Sequence, residues 1–321
     1  MNAQENNNQS RRGFLKNSIL TGVLFPLVYK DLNAMVRTVT QSPLKIYIFS
    51  KHLQFLNYQD MAEAAAEMGF DGVDLTVRPK GHVLPERVDQ DLPKAVEAMR
   101  KVGLAPLMMT TAVEDANNAM DKQILEAAAK LRFQYYRMNW LRYPDGKSMP
   151  ETIEQFQQRL KDLSLLNKKL GLTGCYQNHA GLLIGSSLWE LWQLLEESDR
   201  QHMGIQYDVR HGVVEGGLSW QNGLRLVQSQ IKTLAIKDFY WHKENGKWIV
   251  QDASIGEGMV DFKTYFKLLK LYKINVPVSL HMEYELGGAE HGATKLTCDK
   301  QIVFDAMKKD LQKVRELWQQ E

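Results

Sequence analysis

The strongest constraint on this chain is one unit repeated along it: a short apolar run followed by a stretch with helical apolar spacing. The runs fall at 45–50, 72–77, 104–110, 134–139, 172–178, 204–208, 233–238 and 276–283. Each has the length and composition of a buried strand. Between them, apolar residues return every three or four positions. Met61, Ala64, Ala65 and Met68 form the first such stripe, Ile153, Phe156, Leu160 and Leu163 the fourth, and Trp220, Leu224, Val227 and Ile231 the sixth. Gly69 and Gly171 follow two stripes, where a helix ends on a residue of positive φ. Ser187 and Glu190 have the spacing of a capping box at the start of the fifth. Strand and helix in alternation require a parallel sheet covered by helices. Eight such units predict an α/β fold, a (β/α)8 TIM barrel occupying residues 41–321 as a single domain. An open doubly wound sheet is the alternative, but no glycine-rich turn follows the first run.

Residues 1–40 do not share this pattern. They run from a polar start through Ser10-Arg11-Arg12-Gly13-Phe14-Leu15-Lys16 into a short apolar stretch, 19–29, broken by Pro26. Basic, then apolar, then small is the order of an export signal. The seven residues from Ser10 resemble a twin-arginine signal, which is an address read by a receptor and not an anchor. The resemblance implies a signal peptide and leader over 1–40, the twin-arginine export machinery as a partner, and a periplasmic location. No cysteine lies near the apolar stretch to carry a lipid, and no apolar run is long enough for an ordinary membrane span.

Charge and cysteine content narrow the function. Forty Lys and Arg against 38 Asp and Glu leave a net charge of +2, and residues 1–40 hold five of those cations against two acids. The barrel is therefore near neutral, which argues against nucleic acid as a partner. Two cysteines, Cys175 and Cys298, make neither a disulfide framework nor a cysteine zinc site.

Active sites of TIM barrels form at the C-terminal ends of the strands. There the chain places Gln177-Asn178-His179, Asp208-Val209-Arg210-His211, Lys237-Asp238, and His281-Met282-Glu283. Side chains alternate along a strand, so Gln177 and His179 share a face, as do Ala235 and Lys237, and His281 and Glu283. Charges inside a barrel must pair, bind a cation or meet a polar ligand. His52 and Trp140, near the ends of the first and fourth runs, are further candidates, the tryptophan for stacking on a sugar ring. The glycine-rich segment 287–292 fits a tight polar turn or an anion loop.

These motifs, with Gly256-Glu257-Gly258-Met259-Val260-Asp261, together resemble the xylose isomerase-like TIM barrels, the superfamily of sugar isomerases, epimerases and apurinic endonucleases. The resemblance covers 44 to about 300. Gln177-Asn178-His179 is similar to the family's E-N-H, Asp208 with His211 to its D-x-x-H, Lys237-Asp238 to the end of its H-x-K-D, and Glu283 to its glutamate on the eighth strand. Many members hold one divalent metal through Glu, Asp, His and Glu on strands five to eight. Asp208 and Glu283 match that set, but Gln177 and Ala235 replace the first Glu and the His. The resemblance thus implies one divalent metal (Mn, Co, Zn or Fe) on Gln177, Asp208 and Glu283, with a histidine nitrogen from His179, His211 or His281. Alternatively, the Lys237 ammonium takes the cation's place.

The activity implied is that of an isomerase or epimerase removing the proton next to the carbonyl of a non-phosphorylated sugar or keto-sugar. Glu283 would be base or ligand, His211 would bond a substrate hydroxyl, and Lys237 would stabilise the enolate oxygen. His52, Trp140, His179 and His281 would contact the carbohydrate. The same enolate could expel a leaving group, which makes a keto-glycoside or keto-sugar lyase or dehydratase the second expectation. A periplasmic sugar-binding barrel without catalysis is the third. An endonuclease would need more metal ligands and a basic groove.

Overall fold

The computed structural model describes residues 42–320. The leader expected over 1–40 lies outside the described residues. The barrel strands are β1 (Ile46–Phe49), β2 (Gly72–Val77), β3 (Met108–Thr111), β4 (Tyr135–Arg137), β5 (Thr173–Gln177), β6 (Met203–Asp208) and β7 (Ile231–Ile236). After β7 comes an antiparallel hairpin of β8 (Asp238–Glu244) and β9 (Lys247–Ala253), and β10 (Val278–Leu280) completes the barrel. The eight barrel strands are parallel and close in the order β1-β10-β7-β6-β5-β4-β3-β2. This is the (β/α)8 barrel expected from the repeat.

Helices α1 (Tyr58–Met68), α2 (Val88–Lys101), α3 (Ala119–Lys130), α4 (Met149–Leu170) and α5 (Leu188–Leu194) connect the first six strands. α6 (Val209–Gly216) and α7 (Trp220–Val227) lie between β6 and β7, α8 (Phe262–Leu271) follows the hairpin, and α9 (Lys300–Gln319) ends the fold. Side-chain caps start several of them. Asn57 accepts from the Asp60 N–H, Asn118 from Met120 and Asp121, and Asp261 from Thr264. Gly69 and Gly171 end α1 and α4 at φ of 90° and 70°. The capping box expected at Ser187 and Glu190 does not form. Glu190 instead accepts from the Tyr143 hydroxyl and the Gly185 N–H. Among the described residues, no helix is long and apolar enough to cross a membrane.

Strand alternation sorts the core into two zones. Ile46, Ile48, Val73, Leu75, Met109, Tyr136, Tyr176, Ile205, Tyr207, Leu234, Ile236, Val278 and Leu280 point outward. They join the apolar faces of the helices in one buried cluster. The opposite faces point into the barrel, where apolar Phe49, Met108 and Ala235 alternate with polar side chains: Asp74, Thr110, Gln206, Thr233 and Ser279 are all buried. Asp74 accepts from Ser279 at 2.6 Å and from Thr110 at 3.1 Å.

One irregularity sets the phase of β7. Ile205 pairs with Ile231 and Gln206 with Thr233, so Lys232 is an extra residue in that strand. Beyond it, Thr233 and Ala235 lie beside the inward residues Gln206 and Asp208.

Five strands, β1, β3, β4, β5 and β10, are shorter than their apolar runs, and proline accounts for two of them. β3 begins at Met108 because Pro106 lacks an N–H for the ladder and restricts Ala105. β10 begins after Pro277 and ends at Leu280; the His281 N–H still bonds the Ile236 carbonyl at 3.0 Å, and Met282 to Glu285 then leave the ladder over the barrel mouth.

Candidate active site

The C-terminal ends of the strands surround a cavity of about 250 Å³ lined by Gln177, His179, His211, Lys237, His281, Glu283 and Trp140, all singled out in the sequence. Lys51, Arg78, Arg137, Arg210, Asp252 and Phe49 complete the lining. Asp208 lies fully buried within contact of the lining residues Gln177 and Lys237.

Each motif divides into residues that face the cavity and residues that hold the frame. On β5, Gln177 faces inward, while Asn178 clamps the end of β6. The Asn178 side chain accepts from the Asp208 N–H at 2.8 Å and donates to the Asp208 carbonyl at 3.0 Å. Asp208 is the N-cap of α6, and its Oδ1 accepts from the His211 N–H at 3.1 Å. The D-x-x-H spacing is thus the distance from a helix cap to its third residue, which seats the His211 ring beside Asp208. On β7, Lys237 faces inward, and Asp238 holds the loop that leads to α8. The Asp238 carboxylate accepts N–H bonds from Phe239, Gly256, Gly258 and Val260 at 2.8–3.1 Å. The K-D and G-x-G motifs are therefore two halves of one anchor. A Cβ on Gly258 would stand 2.3 Å from Asp238 Oδ1.

A continuous polar chain crosses the floor. Arg137 Nη1 donates to Gln177 Oε1 at 2.7 Å, and Gln177 Nε2 donates to Asp208 Oδ2 at 2.8 Å. Lys237 Nζ lies 3.2 Å from Asp208 Oδ2 and 4.0 Å from Glu283 Oε1, and Lys51 Nζ lies 2.7 Å from Glu283 Oε2. Burial disfavours the Glu283 carboxylate, but Lys237 and then Lys51 outweigh it and hold the carboxyl well below its ordinary range. Burial also lowers Lys51, against the opposing pull of Glu283.

His52, His179, His211 and His281 are neutral, and their tautomers follow from their partners. Arg210 Nη1 can only donate, so His211 Nδ1 accepts at 3.0 Å and Nε2 carries the proton. That Nε2–H is buried without a hydrogen-bond partner, 3.8 Å from Asp208. Burial and then Lys237 push His211 well below its usual pKa, and the same two causes bring His179 to about 4. The His179 ring stands 3.9 Å from that of His211 and 4.6 Å from Trp140. Ser279 donates to Asp74, so it accepts from His281 Nε2, and His281 Nδ1 faces Glu283 at 3.5 Å. The His281 ring also stacks on Phe49 at 4.2 Å.

His52, expected at the carbohydrate, sits instead inside the wall. Its Nε2 accepts the Met282 N–H at 3.1 Å, its Nδ1 donates to the Ala289 carbonyl at 3.2 Å, and burial brings it to about 3. It holds the segment that carries Glu283. The glycine-rich segment 287–292 is tied by its own acid, as Glu290 accepts from the Leu286 and Gly288 N–H groups. Cys175 is buried, and its thiol is pushed up to about 12, which leaves it unreactive.

The expected metal set does not assemble. Gln177 turns its NH₂ toward Asp208, an orientation fixed by Arg137, which can only donate to the amide oxygen. Ala235 offers no ligand, the His211 Nε2 is protonated, and two ammonium groups already meet the remaining carboxylates. Among the described residues, no group of three or more His, Cys, Asp or Glu could hold a metal ion. This donor set does not fit a divalent cation.

Several site residues had no place in the sequence expectations. Lys51, Arg78 and Arg137 sit at or just past the ends of β1, β2 and β4, where the same strand-end rule would have found them. Asp252 comes from the hairpin, and it meets Arg210 at 2.8 Å. Asn245-Gly246 at its tip was the available signal.

The family description "Xylose isomerase-like TIM barrel" matches residues 62–297. The chain belongs to that family. No curated protein matches it significantly in sequence. Among solved xylose isomerase-like structures, the IOLI protein with a bound zinc atom superposes with a TM-score of 0.68 at 16% identity, covering 85% of this chain and 99% of the other. D-Psicose 3-epimerase from Clostridium cellulolyticum H10 gives 0.63 at 12%, covering 86% and 99%. The 3-keto-D-glucoside 4-epimerase YcjR from E. coli gives 0.62 at 15%, covering 84% and 99%. At these identities the likeness is one of fold.

Proposed function

We propose that this member of the family is a sugar isomerase or epimerase that removes the proton next to a carbonyl with an ammonium, not a metal, at its centre. The observation that carries the reading is the position of Lys237, inward at the end of β7 and between Asp208 and Glu283. A carbonyl oxygen entering the cavity finds in the ammonium a fixed positive charge shielded from bulk water. Such a charge favours the enolate over the neutral ketone. Glu283 is ionised at neutral pH; Lys51 holds its Oε2, and Oε1, 4.0 Å from Lys237, is the oxygen left to take the proton. Its basicity rises when the substrate oxygen draws Lys237 toward itself. His211 Nε2–H, which no protein group accepts, suits a substrate hydroxyl, and Trp140 with His179 offers an aromatic wall for the ring. Return of the proton to the other face gives an epimer, and its return to the neighbouring carbon gives an isomer. The solved epimerases of the same fold act on sugars, in keeping with this reading. Export by the twin-arginine route, proposed for the leader, would bring the barrel to free sugars outside the cytoplasm.

The test is incubation with keto-sugars in D₂O, with metal content measured on the same sample. Deuterium at the carbon beside the carbonyl, in metal-free protein and lost in Glu283→Gln, supports the reading. Product analysis separates isomerisation from elimination. Tight sugar binding without exchange would replace it with a non-catalytic binding barrel, and exchange that needs an added divalent ion would overturn the role of Lys237.

A further inference from the structure

Five cations line the cavity: Lys51, Arg78, Arg137, Arg210 and Lys237. Three have carboxylate partners, Lys51 in Glu283, Arg210 in Asp252 and Lys237 in Asp208. Among the described residues, Arg78 and Arg137 have no carboxylate at ion-pair distance. Both guanidinium groups lie against the Phe49 ring, 5.5 and 5.8 Å from its centre. Arg137 is only 4% exposed, and its Nε has no hydrogen-bond partner. Asp74, whose charge reaches both, is engaged by Thr110 and Ser279. Burial, and then the neighbouring Arg78, bring Arg137 down to about 9. Two adjacent guanidinium groups, one of them buried with an unmatched donor, are costly unless an anion completes them.

Their place in the ring says what that anion belongs to. Arg78 follows β2 and Arg137 ends β4, the two neighbours of β3. In the closed order, β3 stands four strands from β7 in either direction. The arginine pair therefore faces Lys237 across the barrel mouth. The cavity, about 250 Å³, is smaller than a typical site for a drug-sized ligand and suits one sugar unit.

We propose that Arg78 and Arg137 form an oxyanion site, and that the substrate is an acidic sugar spanning the cavity, with its acid group on the arginines and its carbonyl at Lys237. The carbonyl end rests on the enolate reading above, whereas the acid end stands on the arginines alone. A planar carboxylate matches the guanidinium fork in two parallel bonds, and a phosphate ester presents the same oxygen chemistry.

Binding is measured by calorimetry with D-glucuronate, D-glucose 6-phosphate and D-glucose, on the wild type and on Arg78→Gln. Melting temperature is followed in parallel with acetate and sulfate, which need no sugar recognition. The acids are expected to bind the wild type about tenfold or more tighter than glucose. Arg78→Gln should erase that preference and leave glucose nearly unchanged, and the simple anions should stabilise the wild type more than the variant. Arg137→Lys, which keeps the charge and loses the fork, should retain part of the preference. The tighter of glucuronate and glucose 6-phosphate identifies the acid as carboxylate or phosphate. If neither the acids nor the simple anions distinguish the wild type from Arg78→Gln, the oxyanion site is overturned. No turnover enters these measurements, so failure of the enolate reading would leave their outcome intact, and the reverse also holds.

Discussion

The Nζ of Lys237 lies 3.2 Å from Oδ2 of Asp208, and neither side chain is open to solvent. Removing one member of a buried pair leaves an uncompensated charge, which costs about 3–5 kcal/mol. Lys237→Met is expected to lose stability toward the lower end of that range, because the Gln177 amide still donates to Asp208. Activity should fall about 10²–10³-fold, as when a single oxyanion donor is removed. Urea unfolding and kcat check the two effects separately. Near-normal turnover in a folded variant would contradict the role given to the ammonium.

The same geometry predicts how a metal could be admitted. Gln177→Glu and Ala235→His supply the two absent donors, and Lys237→Ala removes the competing charge. The triple variant is expected to take up one equivalent of Zn²⁺ or Mn²⁺ by elemental analysis and to gain melting temperature with the ion. The wild type should do neither. Equal metal uptake by both would show that the ammonium does not displace a cation.

Five histidines, three of them buried and two (His82 and His179) half-buried, give the fold a defined acid sensitivity. His52 is held at about 3, His82 and His179 at about 4, and His211 and His281 well below their usual value, with burial the leading cause for each. Between pH 6.5 and 4 the unfolded chain binds these protons and the folded chain does not. Stability contributed by the neutral rings is therefore complete above pH 6.5 and lost as the pH falls. Each such ring removes about 1.4 kcal/mol per pH unit in that window. Unfolding free energy measured from pH 7.5 to 4.5 should drop steeply below 6.5, and a flat profile would refute the neutral state.

Gly258→Ala tests the anchor that joins the hairpin to α8. The added Cβ would meet Asp238 Oδ1 at 2.3 Å and the Phe239 carbonyl oxygen at 2.4 Å, both held in place by hydrogen bonds or backbone. A loss of about 1–3 kcal/mol is expected from the forced shift. Calorimetric melting measures it. An unchanged melting temperature would mean that the loop relaxes freely.

The eight units were legible because burial on both faces writes an apolar run, and amphipathic helices write a period of 3.6. Cavity-facing Gln177, His211, Lys237 and Glu283 were legible from strand phase and the strand-end rule. The hairpin was not, because β8 and β9 were absorbed into the seventh connection once eight parallel runs had been found. Asn245 and Gly246, both at positive φ, supply the turn that should have separated them. His52 could not be separated from a ligand-facing histidine by sequence, since its partners are the backbone of residues more than 200 positions away. Arg78 and Arg137 stand at strand ends like the others, but nothing local reveals that both lack a carboxylate. That property depends on which charges the closed ring brings near them.

The extra residue Lys232 has a consequence far from its own position. Were Lys232 instead paired with Gln206, with no residue left over, every side chain beyond would turn to the other face. Asp238 would then enter the barrel beside Asp208 and Glu283, and Lys237 would point out among the helices. Three acids would converge where two acids now share an ammonium, which is a vacancy shaped for a dication. A backbone irregularity of one residue thus acts as a polarity switch, deciding whether this barrel supplies its own positive charge or must borrow one.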